Sequence, residues 1–166
     1  ATMGMPRLAR AQQKRGGILT AILNPEPPLL VLGLNQQAPT QLVAGKIYQG
    51  LLRYDFALKP LPSLAKSWTV SPDGLTYTFK LEEAVKWHDG APFTAEDVLF
   101  SCTKFLPEVH PRARSTFDRC ESITAVDKFT VAFKLKAPFE PFLYAFLPAG
   151  APMMPKHIYD GSDYRA

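Results

Sequence analysis

Residues 67–101 read SWTVSPDGLTYTFKLEEAVKWHDGAPFTAEDVLFS, and the local signals along this stretch decide the fold of the chain. Ser71-Pro72-Asp73-Gly74 is a turn, because proline presets φ and glycine accepts the positive φ that closes it. A strand follows. Leu75, Tyr77, Phe79 and Leu81 alternate with Thr76, Thr78 and Lys80, the period of two of a sheet with one buried face. Val85 and Trp87 alternate in the same way with Lys86 and His88 until Asp89-Gly90, a dipeptide suited to a tight reversal. A helix is predicted beyond it. Thr94 is a good N-cap, and Glu96 and Asp97 place negative charge on the first turn. Val98, Leu99, Cys102, Phe105 and Leu106 form one apolar stripe, which Pro107 is expected to end.

Toward the C-terminus, Ile123–Val126 and Phe129–Leu135 flank Asp127-Lys128 and read as a hairpin whose buried face holds Phe129, Val131, Phe133 and Leu135. Pro107–Arg119 is expected to be irregular. Pro138–Leu147 reads as a helix with proline in its first turn. Its Phe139, Phe142, Tyr144 and Phe146 are expected to pack the core rather than line a ligand groove, and Trp68 and Trp87 are expected in the core as well. Gly150–Pro155 is a loop and Lys156–Tyr159 a last helical turn.

Toward the N-terminus, Gly17–Leu23 is apolar on both alternations, the pattern of a fully buried central strand. Asn24-Pro25-Glu26-Pro27-Pro28 breaks it. After apolar Leu29–Leu34 and polar Asn35–Pro39, a helix is predicted from Pro39 or Thr40 to Gln49, with Gly50 as its C′ residue. Leu51–Tyr54 is a short strand, Asp55–Pro62 a turn-rich connection and Ser63–Lys66 one helical turn.

The 166 residues, 46% hydrophobic and 20% charged, suit one globular domain with a real core. The net charge of +4 comes from residues 1–15, where Arg7, Arg10, Lys14 and Arg15 stand without an acid. The remainder is neutral. Nucleic-acid binding needs clustered Lys and Arg; only His110, Arg112 and Arg114 come close together, and they read as a solvated loop. No apolar run reaches the roughly 18 residues of a membrane span. Ala9-Arg10-Ala11 fits a signal-peptide cleavage site, so residues 1–11 read as the remnant of an export signal or as a linker. Cys102 and Cys120 are expected to form a disulfide in an oxidising compartment, the alternative being two buried free thiols.

No constellation for catalysis is present. The histidines at 88, 110 and 157 are far apart, with no His-x-x-x-His, Cys-x-x-Cys, Gly-x-Ser-x-Gly or phosphate-binding glycine loop. His88-Asp89 lies at a reversal, where side chains face water, and the adjacent Glu82 and Glu83 point to opposite sides of a strand. The expectation is a protein that is not an enzyme, without cofactor or metal.

The strings SPDGLTYTFKL and VKWHDGAPFTAEDVLFS resemble the signature of the family 5 extracellular solute-binding proteins, the peptide, nickel and opine receptors of bacterial ABC importers. KRGGILTAIL, IYQGLLRYD, PLPSLAKSW, AVDKFTVAFKLKAPFEPFLYAFLP and MMPKHIYDG continue the resemblance in order from Lys14 to Gly161. It implies an α/β fold of the type II periplasmic binding protein class. Residues 12–48 would begin lobe I and 49–160 form its smaller inserted α+β subdomain, a mixed or antiparallel sheet with helices. Residues 161–166 would lead toward the rest of lobe I and lobe II, which the chain does not contain.

The function implied is capture of a solute, with di- or oligopeptides as the leading class, between two lobes in the periplasm for delivery to an inner-membrane ABC permease. An interaction or sensory domain on the same fold, or a receptor for a nickel chelate or opine, is the alternative. The resemblance points to two ligand-facing regions. One comprises Asn35, Gln36, Gln37, Ala38 and Gln41, whose amides offer both donors and acceptors to a peptide-like solute. The other comprises the loops around Arg114–Phe117 and Gly150–Ala151, with Arg114 a candidate for a ligand carboxylate.

Overall fold

The computed structural model describes residues 16–18 and 20–165; the export-signal reading of residues 1–11 lies outside them. In chain order the strands are β1 (Leu52–Tyr54), β2 (Pro60–Pro62), β3 (Ala65–Val70), β4 (Thr76–Leu81), β5 (Cys120–Asp127) and β6 (Thr130–Leu135). The α-helical segments are α1 (Ala38–Ala44), α2 (Ala95–Phe100), α3 (Leu106–Val109), α4 (Ala113–Phe117) and α5 (Lys156–Tyr159). A π-helical turn, Ser101–Phe105, joins α2 to α3, and a 3-10 helix spans Glu140–Phe146.

The central layer is an antiparallel sheet in the order β3-β4-β6-β5. Its register sets Phe79 opposite Val131 and Tyr77 opposite Phe133. One pleat face therefore carries Tyr77, Phe79, Leu81, Val131, Phe133 and Leu135, all buried. Phe142 and Phe146 of the 3-10 helix close on this face, and α2 runs over β5 and β6. The turn before β4 forms as predicted. Gly74, at φ +68°, donates its N–H to Ser71 O at 2.9 Å, and the Asp73 carboxylate accepts from the Leu75 N–H. Gly90, at φ +90°, makes the second reversal.

The start of α2 also follows its sequence signals. Thr94 and Asp97 form a reciprocal capping box, with the Thr94 N–H donating to Asp97 Oδ2 at 2.9 Å. Asp97 is buried because its other oxygen accepts the Lys156 N–H at 3.0 Å. One carboxylate thus starts one helix and anchors another.

Several sequence expectations are corrected. The helix does not stop at Pro107 but continues to Val109. In the π turn, Leu106 N–H reaches back to Ser101 O, and this wider spacing puts Pro107 in the first turn of α3, where no proline N–H is needed. The segment 107–119, expected to be irregular, contains α4. Ser63–Lys66 is not helical, since β3 begins at Ala65 and pairs with β4 through Leu81. The first helix ends at Ala44 with Gly45 as its cap, and Gly50 serves packing instead. The described part of Gly17–Leu23 belongs to no strand, with Ile18 98% and Ile22 95% exposed. Burial of such a segment needs a neighbouring strand, and β1–β6 pair only among themselves.

Cys102 and Cys120 are buried free thiols, so the expected disulfide is not formed. Both border one shallow cavity. Burial pushes Cys120 up to about 11 and Cys102 well above its usual range, which keeps both as thiols and not as the thiolates that exchange requires. Trp68 and Trp87 are half-buried and pack against the core. Among the described residues no helix is long and apolar enough to cross a membrane.

Candidate functional site

The polar loop before α1 is positioned by the apolar residues that precede it. Leu32 is buried, and Gly33 lies so close to the Phe105 ring that a Cβ there would fall 2.7 Å from it. The side-chain amides then fold the loop on itself. Gln36 Nε2 donates to Leu32 O at 2.5 Å, Gln41 Nε2 donates to Gln36 O at 2.6 Å, and Asn35 Oδ1 accepts the Gln37 N–H at 2.8 Å. The Gln36 Oε1 is buried without a protein partner. These amide donors are engaged by backbone, and Gln37 and Ala38 are exposed at the start of the helix.

The second region is organised by His110, which was expected in a solvated loop and is instead buried. Its Nδ1 accepts the N–H groups of Arg112 (3.3 Å) and Ala113 (3.2 Å), opening α4. That leaves Nε2–H to donate to Ala149 O at 3.1 Å. One imidazole therefore pins the start of α4 to the Leu147–Gly150 loop, which closes on itself through Gly150 N–H to Leu147 O at 2.9 Å.

Between the pinned elements lies a bowl of about 340 Å³. Phe117 and Gly150, both expected at the site, line it; Arg114 does not, its Nε donating to Pro107 O instead. Asn35–Gln41 do not border it either. Arg112, Phe139 and Tyr144 complete the rim and walls, and these the sequence reading missed. Phe142 and Phe146 are core as expected, but Phe139 and Tyr144 turn the other way. Phe139 lies outside the 3-10 helix, as its extended N-cap, and Tyr144 is two residues from both Phe142 and Phe146, off their shared side; an aromatic run by itself reveals neither. Tyr144 stacks on Tyr54 with ring centroids 4.9 Å apart, and the Arg119 guanidinium lies 4.3 Å over the Phe139 ring.

The His88-Asp89 pair is not the one that forms. Asp89 Oδ2 meets His157 Nε2 at 2.5 Å, and this contact holds the Asp89 carboxyl below its usual range. Both partners are exposed, as in a surface clasp. Among the described residues no three His, Cys, Asp or Glu side chains cluster as a metal site.

Burial lowers the His110 pKa, so between the folded value and the usual one of about 6.5 the unfolded chain binds the extra proton. Stability should therefore fall as pH drops from 7 to 5. Asp73, Asp89 and Asp127 are also lowered, but their contribution is lost only below about pH 4, outside this window. Thermal melts at both pH values check this: the wild-type chain should lose stability on acidification, and His110→Gln should lose markedly less.

The chain is thus an α+β body with a polar loop and an aromatic bowl at its surface. Residues 59–165 match the model of the bacterial extracellular solute-binding proteins, family 5 Middle. The chain belongs to this family. The glutathione-binding protein GsiB of Pectobacterium atrosepticum is 39% identical over 105 residues, which is 63% of this chain and 20% of that protein. The chain thus spans about a fifth of the length of the curated relatives it matches.

Two solved structures share the fold. The oligopeptide-binding protein AppA from Bacillus subtilis, in complex with a nonapeptide, is 28% identical with a TM-score of 0.73, covering 84% of this chain and 28% of that one. NikZ from Campylobacter jejuni, in complex with Ni(L-His), is 30% identical with a TM-score of 0.70, covering 85% and 28%. The architecture is that of a part of a type II periplasmic binding protein.

Proposed function

We propose that the chain is part of the periplasmic solute-binding receptor of an ABC importer, a protein without catalytic activity that captures a di- or oligopeptide-like solute. The observation that carries this reading is the match of 84% of the chain to a receptor holding a nonapeptide. Residues 12–48 begin lobe I and 49–160 are its smaller subdomain. The loop of Asn35, Gln36, Gln37, Ala38 and Gln41 and the surface of Arg114, Phe117 and Gly150 form part of one wall. A second lobe, outside this chain, closes over the solute by hinge motion, and the permease at the inner membrane reads the closed form.

Affinity in such a protein comes from both walls, so this chain by itself should retain no solute through purification. Native mass spectrometry of the family-length protein, isolated without refolding, is the test. A small molecule released on unfolding supports the receptor reading and identifies the solute; a nickel complex in its place would favour the chelate reading, as the likeness to NikZ suggests. A family-length protein that carries nothing and binds neither peptide nor metal-chelate libraries would overturn transport in favour of an interaction or sensory role.

A further inference from the structure

The bowl between α4 and the 3-10 helix differs from the amide loop in chemistry. Phe117, Phe139, Pro141, Tyr144 and Leu147 supply its walls. Its polar side chains, among the described residues, are Arg112, Thr116 and Tyr144, whose hydroxyl faces Leu58 O at 3.5 Å. The Thr116 hydroxyl is engaged in donating to Arg112 O at 3.1 Å. The Arg112 guanidinium is exposed and has no hydrogen-bond or ion-pair partner among the described residues, and no Asp or Glu lines the bowl. Arg119, over the Phe139 ring, adds positive charge nearby.

We propose that this bowl takes the apolar side chain of a ligand whose free carboxylate meets Arg112, as a C-terminal apolar residue of a short peptide presents them. The inference rests on the receptor reading and narrows its solute class. A volume of about 340 Å³ lies at the lower end of the usual ligand-pocket range, enough for one large side chain. A sugar would need several free donors and acceptors, whereas among the described residues the bowl offers the Arg112 cation and two hydroxyls that already face backbone carbonyls. A metal chelate held through protein ligands would need His, Cys or carboxylate side chains, and none lines it.

The walls are also preorganised, which lowers the ordering cost of binding. His110 ties α4 to Ala149, and a Cβ at Gly150 would fall 2.5 Å from Ala145 O, so the loop sits against the 3-10 helix. Arg112 serves the fold through its backbone N–H and C=O, which leaves the guanidinium free for a ligand.

Backbone-amide NMR of the labelled 166-residue chain tests this with N-acetyl-L-phenylalanine, its C-terminal amide and N-acetylglycine. The phenylalanine acid should move the Phe117, Tyr144, Leu147 and Gly150 signals and bind about threefold tighter than the amide, the scale of an exposed charge pair. N-acetylglycine should leave these signals in place. Arg112→Gln should reduce the acid to the affinity of the amide while Arg112→Lys keeps the preference, with unchanged signals from β4 and β6 showing that both variants are folded. Equal binding of acid and amide, indifference to Arg112→Gln, or shifts confined to other surfaces would overturn the assignment. The receptor reading would survive each of these results, because it stands or falls on the solute carried by the family-length protein.

Discussion

Phe133→Ala should destabilise the chain by about 3–5 kcal/mol, the usual cost of removing a buried phenylalanine from a core that cannot collapse around the gap. The ring is fully buried and has four aromatic neighbours: Phe146 at 5.0 Å, Phe79 at 5.6 Å, Phe142 at 5.7 Å and Phe117 at 6.4 Å between centroids. These belong to β4, the 3-10 helix and α4, so no single element can move in to fill the void. The loss is a large part of the stability of a typical domain. Urea unfolding followed by far-ultraviolet circular dichroism gives the value. A loss below about 1.5 kcal/mol, the range of a tolerated core swap, would show that these rings are not the common core of sheet and helices. Phe133→Leu, which refills most of the volume, should recover much of the difference.

Gly50→Ala should cost about 3 kcal/mol, at the upper end for overpacking. A Cβ at residue 50 would overlap Phe146 O and lie 2.8 Å from the Leu147 carbonyl carbon and 2.9 Å from Pro148 N. All three are backbone atoms, so no side-chain rotation relieves the clash. The backbone that would have to shift leads directly into Leu147–Gly150, the loop that borders the bowl. Lower stability should therefore come with displaced amide signals at Leu147 and Gly150. A variant of wild-type stability with these signals in place would mean that the close approach of Gly50 to the Phe146–Pro148 backbone does not exist in solution.

Much of the described chain is legible in the sequence because its signals are local. The Ser71–Gly74 turn, the alternation of β4, the Thr94 cap and the β5–β6 hairpin each depend on residues within one or two turns of chain. The misreadings share a different cause. Sequence points Gly50 to a helix cap because caps are where glycine is commonest, whereas its partner is the backbone nearly a hundred residues later. The π turn that admits Pro107 is a spacing of hydrogen bonds that residue types do not encode. Gly17–Leu23 has the composition of a buried strand, but burial is a property of what lies beside a segment.

The candidate site divides in the same way. Family resemblance pointed to both surface regions by their sequence blocks, and Phe117 and Gly150 do meet in one bowl. Arg112, the N-cap of α4, lies on the rim of the bowl while Arg114 lies outside it, because residues two apart at a helix start point to different sides. The family, the sheet with its buried face and the cap that starts α2 can all be read from residues close along the chain. That His110 is a buried pin, that Phe139 and Tyr144 border a cavity while Phe142 and Phe146 are core, and that Asp89 meets His157 emerges only in the folded chain. These depend on which surfaces, distant in sequence, come within hydrogen-bond and van der Waals reach.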